Sequence, residues 1–264
     1  SWANEGPASG LFLARLTPAG ALDTATVPGG RRVVTVPGLA PGDINQFQVG
    51  NAVAGPNGTL LVGVAPWGAE GLEPAVVRLL PSGEVDASYG TAGMTRIPAD
   101  DVDSGNPRVR LLPMPDGGVA VAWMQWRLTP DVGDDVAVAR LGPDGTVVAT
   151  YGAGGRHVQR LPESSQPSLA TTPSGHVLVA WSALRHPDDP FDGSATHHLL
   201  RLTPTGGPDA SFGDGGVATV GSVPTGSDGV LAVGADGERP LLLTWAVPGL
   251  EPEQRLTRLT TTGA

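Results

Sequence analysis

Short apolar runs, broken by turns rich in glycine and proline, recur along the whole chain, and the stretch from 109 to 161 shows the rhythm most clearly. Val109-Arg110-Leu111-Leu112 leads into Pro115-Asp116-Gly117-Gly118, a turn whose glycines supply positive φ. Val119-Ala120-Val121-Ala122-Trp123 follows, β-prone and almost wholly apolar, the pattern of a strand covered on both faces. After a polar segment with Pro130, Asp131, Gly133 and Asp134, the run from Val136 to Leu141 predicts a third strand, ended by Pro143-Asp144-Gly145. Residues 156–161, beyond Tyr151-Gly152-Ala153-Gly154-Gly155, predict a fourth. No stretch of ten or more residues carries a helical period, so the expected class is all-β.

One phrase, Arg-Leu-x-Pro-x-Gly, punctuates these runs. It starts at Arg15, Arg78, Arg140 and Arg201, and an eroded copy at Arg258 has Thr261 where proline belongs; the arginines stand 63, 62, 61 and 57 residues apart. A fixed period means one supersecondary unit copied in tandem. Each unit reads as four antiparallel strands, A to D, with the phrase closing strand C. Such a sheet cannot bury both faces alone, so the units must stack, and radial stacking predicts a β-propeller. The units fall at about 47–105, 106–165 and 166–226, with partial units at about 1–46 and 227–264, in a single domain 1–264.

A second phrase, Asp-x-x-(Phe/Tyr)-Gly-x-x-Gly, follows the first. Asp86 to Gly93 and Asp209 to Gly216 match it; the unit at Tyr151-Gly152 has Val148 in place of Asp, and the first unit has Asp23 and Gly30 around Thr26-Val27. The ring is expected to plug a tight corner, with the Asp capping backbone amides or pairing with the repeated Arg. Trp123, Trp181 and Trp245 align at one position of strand B, with Val64 in the remaining copy, which points to packing between blades.

Together, the string Arg-x-x-Pro-x-Gly-x-x-Asp-x-x-Phe-Gly-x-x-Gly from Arg201 to Gly216, and its copy from Arg78 to Gly93, resembles the delta-60 repeat of bacterial β-propeller proteins. Val148, Thr26-Val27 and Thr261 depart from that pattern. The resemblance implies a secreted or surface-exposed bacterial protein and leaves its role open.

Composition narrows the partners. Glycine (39) and proline (26) would suit disorder, but 40% of the chain is apolar and the glycines sit between apolar runs, so they read as turn residues. Cysteine is absent, which removes disulfides and thiolate metal sites. All 16 basic residues are arginine, scattered through a chain of net charge −10, a poor match to nucleic acid, which needs a concentrated basic face. No apolar run approaches the roughly 18–20 residues of a membrane span. The chain opens on Ser1 rather than Met, so a removed signal peptide is expected.

Candidate chemistry is sparse. His186, Asp188, Asp189, Asp192, His197 and His198 crowd one region with zinc-type ligands, but adjacent His197 and His198 would point to opposite faces of a strand. Asp100-Asp101-Val102-Asp103-Ser104-Gly105-Asn106 has alternating oxygen ligands without the closing Glu of a calcium loop. The chain has no Gly-x-Ser-x-Gly elbow, phosphate loop or dinucleotide fingerprint. No pair of carboxylates stands out for glycoside hydrolysis, and a glycoside hydrolase-like propeller stays a third reading on analogy of fold alone. The expectation is therefore a chain without catalytic residues, cofactor or metal. Trp2, Trp67 and Trp126 are candidate readers of a glycan or cell-surface protein.

Counting strands around the repeated phrase gives C and D first, three complete units, then A, B and C: four units and one surplus strand C. A four-bladed ring with a mixed terminal blade would leave that strand redundant; the alternative is five blades with incomplete ends. Unpaired edges are either protected or used. The expected function is a secreted structural or adhesive propeller that self-assembles head-to-tail, even into filaments, by strand complementation through Arg255, Leu256, Arg258 and Leu259 at one end and Leu11, Leu13 and Arg15 at the other.

Overall fold

The computed structural model describes residues 10–36, 47–68, 71–98, 109–127, 133–160, 168–184, 195–223, 229–246 and 253–264. Apart from single turns of 3-10 helix, their regular structure is antiparallel strand. Sheet 1 holds β1 (Leu11–Ala14) and β2 (Arg31–Val34). Sheet 2 runs β3 (Phe47–Ala54), β4 (Leu60–Gly68), β6 (Ala75–Leu79) and β7 (Met94–Arg96), with the two-residue β5 (Gly71–Leu72) on the end of β4. Sheet 3 is β8 (Arg110–Pro113), β9 (Val119–Arg127), β10 (Gly133–Leu141) and β11 (Arg156–Arg160). Sheet 4 is β12 (Ser168–Thr171), β13 (Val177–Leu184), β14 (Ala195–Leu202) and β15 (Val217–Val223). Sheet 5 is β16 (Gly229–Asp236), β17 (Arg239–Ala246) and β18 (Glu253–Arg258).

The three inner sheets are the expected A-B-C-D meanders. The mixed terminal blade does not form among the described residues: C-D stays as sheet 1 and A-B-C as sheet 5, with no strand pairing between them. Each terminal strand pairs with its nearest neighbour in sequence, as the inner strands do.

Strand alternation builds the core between the sheets. On β4, Val62 and Val64 pack toward sheet 1 while Leu61 and Ala65 pack toward sheet 3. On β9, Val121 and Trp123 face sheet 2 while Ala120 and Ala122 face sheet 4. On β13, Val179 and Trp181 face sheet 3, and Leu178 and Ala180 face sheet 5. Every inner strand B is thus apolar on both faces, which explains the unbroken runs. Four clusters, one per junction, join the sheets in chain order.

The register corrects one alignment. Arg140 lies opposite Ala120 and Arg201 opposite Leu178, so Trp123 and Trp181 both stand three residues beyond the residue facing the repeated arginine. Arg258 lies opposite Leu241, which puts Thr244, not Trp245, at that position in sheet 5. Trp123 and Trp181 are buried between sheets, as packing requires. An alignment made on the apolar run alone slips by one residue, which reverses every assignment of a face.

Candidate assembly surfaces

The repeated arginine is a clamp from one sheet to the next. Arg15 Nη1 donates to the Pro81 carbonyl at 3.1 Å, Arg78 Nη1 to Pro143 at 2.6 Å and Arg140 Nη1 to Pro204 at 2.9 Å, and Arg201 Nη1 donates to the Thr261 carbonyl. Each acceptor is the fourth residue of the following copy of the phrase. The second phrase aims the clamp. Asp86 Oδ2 accepts Arg78 Nε at 2.8 Å, and Asp209 Oδ2 accepts Arg201 Nε at 2.8 Å. The guanidinium lies over Tyr89 at 4.6 Å in one unit and over Phe212 at 4.5 Å in the other. Arg140, whose unit has Val148 instead of Asp, takes Asp116 of the A-B turn at 2.6 Å.

These contacts hold the aspartates charged. At Asp86 the Ser88 hydroxyl lowers the pKa most, partial burial opposes it, and the Ser88 N–H and Arg78 add to the lowering. At Asp209 burial is the largest influence and raises it, but Ser211 and Arg201 together outweigh it and keep the carboxyl below its usual range. The rings of the second phrase do plug corners: Tyr89, Tyr151 and Phe212 are buried. Their following glycines donate N–H to the next sheet, Gly90 to Asp144 O at 2.8 Å, Gly152 to Thr205 O at 2.7 Å and Gly213 to Thr262 O at 2.8 Å.

The two end sheets each keep one open face. On sheet 1 it carries Phe12, 68% exposed, with its register partner Val33 and with Leu16, 60% exposed. On sheet 5 it carries Leu256, 67% exposed, opposite Leu243. Of the seven residues expected at the assembly surface, Arg255, Leu256 and Arg258 are exposed. Leu11 and Leu259 are buried in the chain's own clusters and Leu13 packs against one of them, a correction forced by alternation. Arg15 is committed to Asp23 and Pro81. Phe12, Leu16 and Val33 escaped the sequence reading because it weighed strand edges rather than faces.

The other candidates fall as follows. Adjacent His197 and His198 do point to opposite sides: His197 is buried with Nδ1 2.8 Å from Ser182 Oγ, and His198 stacks on Trp181 at 5.4 Å between ring centroids. Burial lowers the pKa of both. His186, Asp188, Asp189, Asp192, Trp2 and residues 100–106 lie outside the described residues. Trp67 pairs with Leu72, and Trp126 with Asp134, on strand B of adjacent sheets. A half-open cleft of about 650 Å³ at the junction of sheets 2 and 3 is lined by Gly90, Met94, Thr95, Arg96, Thr146 and Val147 among others. The one charged group among its described lining residues, Arg96, pairs with Glu73 at 3.0 Å.

A constellation that sequence spacing did not suggest joins sheets 4 and 5. Ser174 Oγ lies 2.7 Å from His176 Nδ1, and His176 Nε2 lies 3.4 Å from Asp209 Oδ2. The order resembles a nucleophile, base and orienting acid. The partners say otherwise: Ser174 Oγ donates to Glu238 Oε2 at 2.7 Å and its N–H to Oε1 at 2.9 Å, while Asp209 is held by Arg201. The hydroxyl is therefore directed at a carboxylate across the junction, and the group is a clasp between sheets.

Comparison with known proteins agrees on fold. A family model described as a domain of unknown function (DUF5122) beta-propeller matches residues 55–89, a segment that contains the second copy of the arginine phrase. No curated protein matches the chain. Among solved structures, it is similar to an endo-arabinase from Bacteroides thetaiotaomicron, with 11% identity and TM-score 0.40 over 79% of this chain and 73% of that one. It is similar to a polysaccharide lyase at 10% identity and TM-score 0.41, over 80% and 49% of the two chains. It is also similar to the intramolecular trans-sialidase from Ruminococcus gnavus, at 15% identity and TM-score 0.40, over 89% and 48%. The chain thus spans about half the length of the last two. The expectation of a non-enzymatic chain is withdrawn on this finding, because these three structures are enzymes. At such identities and TM-scores the likeness assigns no activity here.

Proposed function

We propose that this chain is a structural, self-assembling propeller of the delta-60 type, with copies joined head-to-tail through the incomplete terminal sheets. One observation carries the reading: among the described residues, three complete four-stranded sheets are bracketed by sheets of two and three strands that do not pair with each other. Among the described residues no strand pairs with the edge of β18 away from β17 or the edge of β1 away from β2, and free edges invite partners. A contact between different ends is heterologous, so it closes into a ring or continues as a filament. Secretion to the bacterial surface, implied by the repeat's resemblance, would give such a polymer an adhesive role.

Mass measurement across a dilution series tests this. Oligomers that grow with concentration are expected, and a single monomer mass up to about 100 μM, well above the affinity of a specific interface, would overturn the reading.

A second reading rests on the register. Trp67 stands six residues beyond Leu61, which faces Arg78, and Trp126 stands six beyond Ala120, which faces Arg140. Two tryptophans thus occupy one repeat position in adjacent sheets, which supports a rim that binds glycan by stacking. A glycan array screened with Trp126→Ala beside the parent checks it; equal signals refute it.

A further inference from the structure

The four sheet junctions within the chain follow one rule. The residue two before the repeated arginine in one sheet shares a packed cluster with the leucine after the arginine in the next. The pairs are Leu13 with Leu79, Val76 with Leu141, Val138 with Leu202, and Leu199 with Leu259. The second member of every pair is at most 4% exposed. Extending the rule leaves one residue of each kind over. Leu256 stands two before Arg258, and Leu16 follows Arg15; they are the exposed leucines of the end sheets. The open face of sheet 5 is therefore of the kind that packs forward, and that of sheet 1 is of the kind that receives.

The clamps leave the same remainder. Four arginines reach the carbonyl of the next phrase, whereas among the described residues Arg258 makes no such clamp and the Pro18 carbonyl receives none of these four. Arg258 Nη2 is held by Asp236 of its A-B turn at 3.2 Å, as Arg140 is held by Asp116. Arg140 makes its clamp from that arrangement, so Arg258 has the support that a clamp needs. Gly20 completes the pattern. A Cβ on Gly83, Gly145, Gly206 or Gly263 would strike the preceding sheet, whereas one on Gly20 would meet nothing within 4 Å.

We infer that the open face of sheet 5 docks on the open face of sheet 1 of a second copy, as a fifth junction of the same design, with Leu256 packed on Leu16 and Arg258 clamped to the Pro18 carbonyl. The inference rests on the head-to-tail reading and specifies it: faces stack and no strand is exchanged. Face stacking also removes the difficulty of the surplus strand C. Completing one sheet from β16–β18 and β1–β2 would place two C strands side by side, whereas stacking keeps both. The interface is continuous with four that the chain already makes, which is why the occupant is a second copy.

Because the chain has no cysteine, the pairing can be read by disulfide trapping. Leu16→Cys and Leu256→Cys are made singly, mixed in equal amounts and oxidised mildly. The expected product is a mixed dimer, at least about tenfold above the level given by mixing Leu16→Cys with Val158→Cys, an exposed residue on β11. The double variant should give a ladder of covalent oligomers. A double variant that instead closes on itself as a monomer overturns the second copy as occupant. Oligomers that form by mass without trapping at these positions overturn face stacking and leave the head-to-tail reading intact. Absence of oligomers at every concentration removes both. An Arg258→Gln variant, which cannot supply the charged clamp, should associate about 5- to 50-fold more weakly; unchanged affinity overturns the clamp.

Discussion

The repeated arginine offers one perturbation at three depths of burial. Arg15, Arg78 and Arg201 each pair with the aspartate eight residues on, at 3.0, 2.8 and 2.8 Å, and each donates to the next sheet's carbonyl. Their side chains are 42%, 14% and 7% exposed. All three share the ion pair and the carbonyl bond, while Arg78 and Arg201 also donate to Ser88 and Ser211 and cover a ring, so the cost of alanine should rise with burial and is compared most cleanly between Arg78 and Arg201. At Arg201, truncation leaves the Asp209 carboxylate without its cation, the Thr261 carbonyl without its donor and the Phe212 ring uncovered. Breaking a buried pair costs about 3–5 kcal/mol, and Asp209 keeps the Ser211 N–H and hydroxyl, which favours the lower end, about 3 kcal/mol. Arg78→Ala should cost about 2 kcal/mol, since its pair is more open. Arg15→Ala should cost below about 1 kcal/mol, the range of a surface pair. For a chain of this size these are shifts in Tm of about 6–12 °C for Arg201 and under about 4 °C for Arg15. Arg201→Lys should recover little of the loss, because an ammonium cannot address the aspartate and the carbonyl through a planar fork. Thermal and urea melts of the series measure this. Equal losses at Arg15 and Arg201, or full rescue by lysine, would refute the argument that burial sets the value of the clamp.

Three further outcomes are expected. Gly206→Ala should destabilise far more than Gly20→Ala: both glycines have positive φ, but a Cβ at 206 would lie 2.5 Å from Gly152 N and 2.7 Å from the Tyr151 ring, while at 20 only the backbone strain of about 1–2 kcal/mol applies. Urea midpoints of the two variants decide it, and similar midpoints would count against the close approach. Burial holds His157, His197 and His198 below the usual histidine pKa, so the unfolded chain takes up protons near pH 6.5 that the folded chain refuses. Stability should therefore fall between about pH 7 and pH 5, and a flat pH profile over that window would contradict the burial. Below about pH 4 a further loss should follow, as Asp86 and Asp209 protonate through their lowered folded values; Asp209→Asn should lessen that acid step while lowering stability at pH 7.

Much of this architecture could be read from the sequence, for physical reasons. Strand B of each inner sheet is apolar on both faces because both faces are buried, and that leaves a continuous run such as Val177 to Trp181. The stapling role of Asp86 and Asp209 was legible because a side chain eight residues from the arginine, across one turn, has few other partners. What the sequence hid lies between sheets. The Ser174–Glu238 contact spans 64 residues and, among the described residues, has no counterpart at the other junctions that a repeat would display. The place of Trp245 was misread because register follows from strand pairing: Leu241, not Leu242, lies opposite Arg258. Burial of Leu259 and exposure of Leu16 were equally hidden: they are the same letter of the same phrase, but among the described residues Leu259 packs on the sheet before it and Leu16 does not.

That last comparison also explains why the phrase tolerates erosion. Thr261 has replaced proline, yet it accepts from Arg201 as Pro81, Pro143 and Pro204 accept from the earlier clamps, because the acceptor is a backbone carbonyl that any residue supplies. The glycine two residues later cannot be replaced so freely. At Gly263 a Cβ would lie 3.0 Å from both Gly213 N and the Phe212 ring, and the φ of +86° is one that side chains avoid. The arginine is fixed for the opposite reason, since its fork must meet an aspartate and a carbonyl together. Apolar faces supply most of the attraction between sheets but slide easily in register. The directional contacts, Arg to carbonyl and Gly N–H to carbonyl, select one register at each junction. A junction that kept its leucines and lost its arginine should still associate, and should do so in more than one alignment.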